Sequence, residues 1–85
     1  MQVNLNDQVV IVTGAGGAIG HAMATAFARN GARVVAAGRT LSTLQATVDE
    51  ITAAGGIATA VIADVADKDS ARNMIEQTVE RFGRL

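Results

Sequence analysis

Three short apolar runs alternate with stretches whose apolar residues recur three or four positions apart, and this alternation most constrains how the chain can fold. Val9-Val-Ile-Val-Thr13 is a continuous apolar run ending in glycines, the pattern of a buried parallel strand. Between about Gly17 and Asn30, Ile19, Met23, Ala26 and Phe27 recur at helical spacing, and Asn30-Gly31 supplies a stop. Arg33-Val-Val-Ala-Ala37, closed by Gly38, reads as a second strand. Leu41, Leu44, Val48 and Ile51 mark one face of a second helix, which Gly55-Gly56 ends. Thr59-Ala-Val-Ile-Ala63 is a third strand. Asp67 is placed to cap a third helix with an inner face of Ala71, Met74, Ile75, Val79 and Phe82, and Gly83 punctuates its end. Strands joined by helical crossovers are parallel with right-handed connections, so the order β-α-β-α-β-α predicts an α/β half of a doubly wound sheet.

Composition sharpens that expectation. The apolar content is mostly Ala, Val and Ile, with Phe27 and Phe82 the only aromatics. Small and β-branched side chains suit helices laid closely on a sheet covered on both faces. The net charge of −1 and the scattered basic residues make no nucleic-acid stripe and no membrane-binding face. With no cysteine, disulfides, thiolate metal sites and redox pairs are excluded. The N-terminus has no basic region followed by a long apolar stretch, so no signal peptide is read, and a soluble cytoplasmic protein is expected.

The first strand runs into Thr13-Gly-Ala-Gly-Gly-Ala-Ile-Gly20. A glycine turn between strand and helix lets the backbone pass close to a pyrophosphate, and the helix that follows offers unpaired N–H groups and a positive dipole end. Gly14 permits the tight turn, and Gly20 lets the helix pack against the strand. A G-x-G-x-x-G pattern would require glycine at position 19. Ile19 stands there, and glycine comes one residue later.

That spacing, T-G-x-x-x-x-I-G with additional glycines at 16 and 17, resembles the short-chain dehydrogenase/reductase family. The resemblance runs from Val9 to Phe82 and implies a Rossmann-type domain spanning residues 1–85, with the cofactor's pyrophosphate held by Gly14, Gly16, Gly17, Ile19 and Gly20. Where the family usually has its second glycine, this chain has Ala18, the mildest replacement. Rossmann domains often place an acidic residue at the end of the second strand to accept from ribose hydroxyls. Here Gly38 and Arg39 follow that strand. A guanidinium attracts a 2′-phosphate where a carboxylate would repel one, so NADP(H) is expected over NAD(H). Asp64-Val65 after the third strand resembles the family's adenine-holding pair. Asp67 is available to cap the third helix, which leaves Asp64 for the nucleotide.

The family's activity is hydride transfer between a nicotinamide and a carbonyl or alcohol, using a Tyr, a Lys, a Ser and an Asn. The sequence contains no Tyr, and its one Lys, Lys68, lies in the third helix, so no residue inherits a catalytic role. The family's fourth strand would begin just beyond Leu85, and the chain is therefore expected to be inactive alone. Two readings follow: the cofactor-binding segment of a longer oxidoreductase, or a free-standing minimal binding module. In the family's topology the first strand is central, so the edge of Val9–Val12 is expected to lie open and to drive self-association. Nucleotide affinity is expected to come from the adenosine half. His21, just past the glycine loop, is expected to face solvent without a role, and the remaining acidic residues read as caps and solvated faces.

Overall fold

The computed structural model describes residues 5–83. Residues 1–4, 84 and 85 lie outside that range. Three strands, β1 (Val9–Thr13), β2 (Arg33–Gly38) and β3 (Ile57–Ile62), alternate with three helices, α1 (Ala18–Arg29), α2 (Leu41–Ala53) and α3 (Lys68–Phe82). The strands form one parallel sheet in the order β1-β2-β3, with Val9 opposite Arg33 and Arg33 opposite Ile57. This is the Rossmann-type arrangement expected from the alternation. β3 starts at Ile57 rather than Thr59 because its pairing with β2 begins there, and the Ala63 N–H still donates to the Gly38 carbonyl at 2.8 Å.

The sheet separates two cores. On one face α1 and α2 cover Val12, Val34 and Ala36, joined by Ala24, Leu44, Val48 and Ile51. On the other face Val35, Ala37, Val61 and Ala63 pack with Met74 of α3. Lined on both faces and paired on both edges, β2 buries Val34, Val35, Ala36 and Ala37 completely. β1 has a partner on one side only among the described residues, and Val9, Val10 and Ile11 stay half-buried.

Two helix faces differ from the sequence pattern. α1 meets the sheet through Gly20, Ala24 and Ala28, while Ile19 and Met23 are exposed and Phe27 is half-buried. The reason is distance: a Cβ on Gly20 would overlap the Gly14 carbonyl oxygen and come 2.9 Å from Ala15 Cα, so only small residues fit where α1 crosses the loop. On α3, Met74 is buried and Ala71 and Phe82 half-buried as expected, but Ile75 and Val79 are exposed and Thr78 joins the buried line in their place. Thr78 satisfies its buried hydroxyl by donating to the Met74 carbonyl at 2.8 Å. On α2 the expected face holds at Leu44, Val48 and Ile51, while Leu41 is exposed.

The helix ends follow from the glycines. After α1, Gly31 N–H bonds the Ala28 carbonyl and Ala32 N–H bonds the Phe27 carbonyl, the paired bonds of a Schellman cap. α2 repeats the arrangement, with Gly55 N–H on Thr52 and Gly56 N–H on Ile51. Gly31 and Gly55 have φ of 97° and 89°, a left-handed backbone that a side chain would strain. Both chain reversals are thus written locally, and each returns the backbone to the sheet at its next strand.

Candidate nucleotide-binding site

At the C-terminal ends of the three strands the chain turns through the segments that the sequence singled out. Gly14 leaves β1 at φ 71°, and Gly17 N–H closes a turn on the Gly14 carbonyl at 3.0 Å. Ala15 is wholly buried, and its N–H reaches the Ala37 carbonyl of β2 at 3.3 Å. Gly16 lies beneath α2: a Cβ there would overlap Thr43 Oγ1 and come 2.9 Å from Thr43 Cβ. Gly14, Gly16 and Gly20 are therefore glycines for three separate reasons: a left-handed backbone, an overlying side chain and a close helix–loop crossing.

Beside the loop lies a crevice of about 330 Å³ lined by Thr13, Gly14, Gly38, Arg39, Ala63, Asp64, Val65 and Ala66. A second, of about 260 Å³, adjoins it between the glycine loop and the start of α2, where Gly16, Gly17, Thr40 and Thr43 line it. Gly14, Gly38 and Arg39 border both, so the two make one trough across the strand ends. A topological trough at the carboxyl ends of parallel strands is where open α/β sheets bind ligands. The structure brings Gly14, Gly16, Gly17, Arg39, Asp64 and Val65 to its walls. Ile19 lies in the first turn of α1, 79% exposed, and Gly20 sits behind the loop as a packing residue.

The three helix N-termini are built differently. α1 starts at Gly17 and α2 at Thr40, and neither has a side-chain cap or an acidic residue in its first turn. Both open onto the trough. α3 is closed by its own sequence: the Asp67 carboxylate accepts from Asp69 N–H at 2.9 Å and from Ser70 N–H at 3.2 Å, and Asp69 adds charge to that turn. The first N–H groups of a helix need a partner from outside it, and the positive dipole end favours an anion. At α1 and α2 the protein supplies neither. Arg39, exposed beside them, makes no salt bridge among the described residues, which leaves its fork of donors available.

Asp64 divides its bonding. Its Oδ1 accepts from the Ala66 N–H at 3.0 Å, shaping the turn, and its N–H donates to Ser70 Oγ at 2.9 Å. One carboxylate oxygen is thereby committed to the loop. Capping of α3 falls to Asp67, as its position predicts.

Three residues of this region were not legible as site residues. Thr40 and Thr43 line the second crevice, and Thr43 Oγ1 donates to the Thr40 carbonyl at 3.0 Å. Thr47 is buried on the inner stripe of α2, where its hydroxyl donates to the Ala15 carbonyl at 3.0 Å. A polar residue in line with Leu44, Val48 and Ile51 is the signal for it, because a buried hydroxyl requires a partner. His21 departs from expectation as well. It is half-buried and reaches across to α2, with Nδ1 2.8 Å from Thr47 Oγ1 and Nε2 2.7 Å from Glu50 Oε2.

A smaller crevice, of about 70 Å³, lies between the C-terminal parts of α1 and α2, at the opposite end of the sheet from the glycine loop. Among the described residues no helix is long and apolar enough to cross a membrane.

A parallel sheet, a glycine turn and two uncapped helix N-termini at the strand ends define a Rossmann-type nucleotide-binding unit. The chain belongs to the short-chain dehydrogenase family, whose model matches residues 8–85, and that family implies a nicotinamide cofactor. Among curated relatives, the "A-factor type gamma-butyrolactone 1'-reductase (1S-forming)" of Streptomyces virginiae is 46% identical over 81 residues, covering 95% of this chain and 32% of the relative. Among solved structures, a hydroxysteroid dehydrogenase from Escherichia coli superposes with a TM-score of 0.94 at 30% identity, over 96% of this chain and 35% of that one. A short chain dehydrogenase from Mycobacterium avium gives 0.90 at 49% identity, over 95% and 32%. The chain spans about a third of the length of the curated relatives it matches.

Proposed function

We propose that this chain is the NADP(H)-binding segment of a short-chain dehydrogenase/reductase-type oxidoreductase. The observation that carries this reading is the pair of uncapped helix N-termini opening onto a trough beside Arg39, which makes no salt bridge among the described residues. Gly14, Gly16, Gly17 and Ile19 would hold the pyrophosphate along the start of α1, with Gly20 keeping that helix close. Arg39 would take the 2′-phosphate over the start of α2, aided by the Thr40 and Thr43 that line the same crevice. Asp64, through the carboxylate oxygen not used by Ala66, and Val65 would hold the adenine. A bound nicotinamide would donate a hydride to a carbonyl or, in its oxidised form, accept one from an alcohol. What these residues contribute is binding and orientation: each lies on the adenosine, ribose or pyrophosphate side, and none is positioned to move a proton in that reaction.

Calorimetric titration of the chain with NADP⁺ and with NAD⁺ tests the reading. We expect saturable binding that favours NADP⁺ by about ten-fold or more, the worth of charge-assisted hydrogen bonds to one phosphate. Arg39→Ala removes the preference and leaves NAD⁺ binding unchanged. Equal affinity for the two nucleotides, or a preference that survives Arg39→Ala, would overturn the assignment.

We also infer that this chain self-associates through β1. Val9–Val12 pairs with β2 on one edge, and the other edge presents backbone donors and acceptors beside apolar side chains. Light scattering across a concentration series is expected to show growth beyond the monomer, and a monomer persisting at high concentration would remove this inference.

A further inference from the structure

One side-chain hydroxyl reaches the backbone of the glycine loop. Ala15 is fully buried, and the Thr47 hydroxyl donates to its carbonyl at 3.0 Å from the inner face of α2. In a trans peptide the carbonyl and the following N–H point in opposite directions. Holding the Ala15 carbonyl inward therefore aims the Gly16 N–H outward, into the crevice that Gly16, Gly17 and Thr43 line. That N–H takes no protein partner among the described residues.

The Thr47 hydroxyl has one proton and three neighbours that bear on it: the Ala15 carbonyl at 3.0 Å, the Thr43 carbonyl at 3.3 Å and His21 Nδ1 at 2.8 Å. Which of them receives the proton depends on the imidazole. A carboxylate only accepts, so Glu50, 2.7 Å from Nε2, selects ring forms that carry a proton on that nitrogen. In the doubly protonated ring Nδ1–H donates to Thr47 Oγ1, and the Thr47 proton must go to a carbonyl. In the neutral ring with its proton on Nε2, Nδ1 is an acceptor and competes for the same Thr47 proton at a shorter distance. Glu50 is the charged group that meets the ring from α2, and Arg29, about two turns further along α1, lines the same crevice as Glu50. The glycine loop, residues 13–20, carries no charged side chain.

We propose that His21 is a positioning residue for the nucleotide loop, setting the aim of the Gly16 N–H through Thr47 and the Ala15 carbonyl, so that pyrophosphate binding is coupled to the charge on the imidazole. The inference rests on the reading of this loop as a dinucleotide site. The protonated ring is the one that frees the Thr47 proton for Ala15, so pyrophosphate affinity rises when the imidazole gains its second proton and falls when it loses it.

Nuclear magnetic resonance on the isotope-labelled chain follows the His21 ring and the Gly16 amide through a pH series that titrates the ring, first alone and then with NAD⁺, whose pyrophosphate keeps its charge throughout. The Gly16 amide is expected to move in step with the ring, and NAD⁺ to bind about five-fold more tightly at the acidic end, the worth of one hydrogen bond. Thr47→Val uncouples the amide from the ring and binds weakly at every pH. His21→Asn, whose amide N–H is a permanent donor in the place of Nδ1, binds as tightly as the acid form with no pH slope. A Gly16 amide that stays still while the ring titrates, or a slope retained by His21→Asn, overturns the proposal. Coupling of amide to ring in a chain that binds no nucleotide would establish the relay and defeat the dinucleotide reading instead.

Discussion

α1 and α2 begin without a cap, whereas α3 carries its own. All three follow a parallel strand and lie on the same sheet, yet Asp67 satisfies two N–H groups of α3, while Gly17 has no side chain and the Thr40 hydroxyl makes no cap bond. An N-cap contributes about 1 kcal/mol, so the two open ends represent stability that the sequence leaves unused. They are also the two ends that face the trough. Local stability and anion binding draw on the same N–H groups. A helix that satisfies them internally holds itself, and one that leaves them open is available to a ligand. The packing follows the same division: α3 covers its sheet face alone with Met74, while α1 and α2 share theirs and bring Thr43 and Thr47 over the glycine loop.

The comparison breaks most completely at Gly20. Gly20→Val places a branched side chain on the Gly14 carbonyl, where α1 has no room to retreat from the loop. It is expected to cost about 3 kcal/mol or more, and denaturant unfolding followed by circular dichroism measures that loss. Gly17→Asp tests the open end directly. Gly17 has φ −85° and ψ 167°, which any residue adopts, and a Cβ there meets only the Gly14 carbonyl at 3.5 Å. The carboxylate caps α1 and repels the pyrophosphate, so stability is held or raised by a few tenths of a kcal/mol while NADP⁺ affinity falls about ten-fold or more. Titration calorimetry set beside the melting curve separates the two effects. Asp67→Ala is the converse and the smallest: about 1 kcal/mol of stability is lost, with NADP⁺ affinity unchanged. A fall in NADP⁺ affinity on Asp67→Ala would mean that α3 is coupled to the trough, and the division drawn here would fail.

The parts legible in the sequence are those set by short-range chemistry. The glycine turns after α1 and α2, the Asp67 cap and the left-handed Gly14 each follow from a residue and its near neighbours. The faces of α1 and α3 are only partly legible, because spacing alone cannot say which of two neighbouring stripes meets the sheet. Met74 and Phe82 lie on the side that spacing predicts, but Ile19, Met23, Ile75 and Val79 are exposed, and Ala24 and Thr78 are buried in their place. His21 and Thr47 are 26 residues apart and meet only because α1 and α2 lie side by side.

The sequence by itself determined the order of elements, the parallel sheet and the glycine turn between β1 and α1, because glycine conformation and hydrophobic period act within a few residues. Only the tertiary structure decided which helix faces are buried and that Thr47 of α2 donates to the Ala15 carbonyl of the loop. Each of these depends on how closely two distant segments approach. Burial and hydrogen-bond partnership belong to the pair of surfaces in contact, and neither surface carries the answer alone.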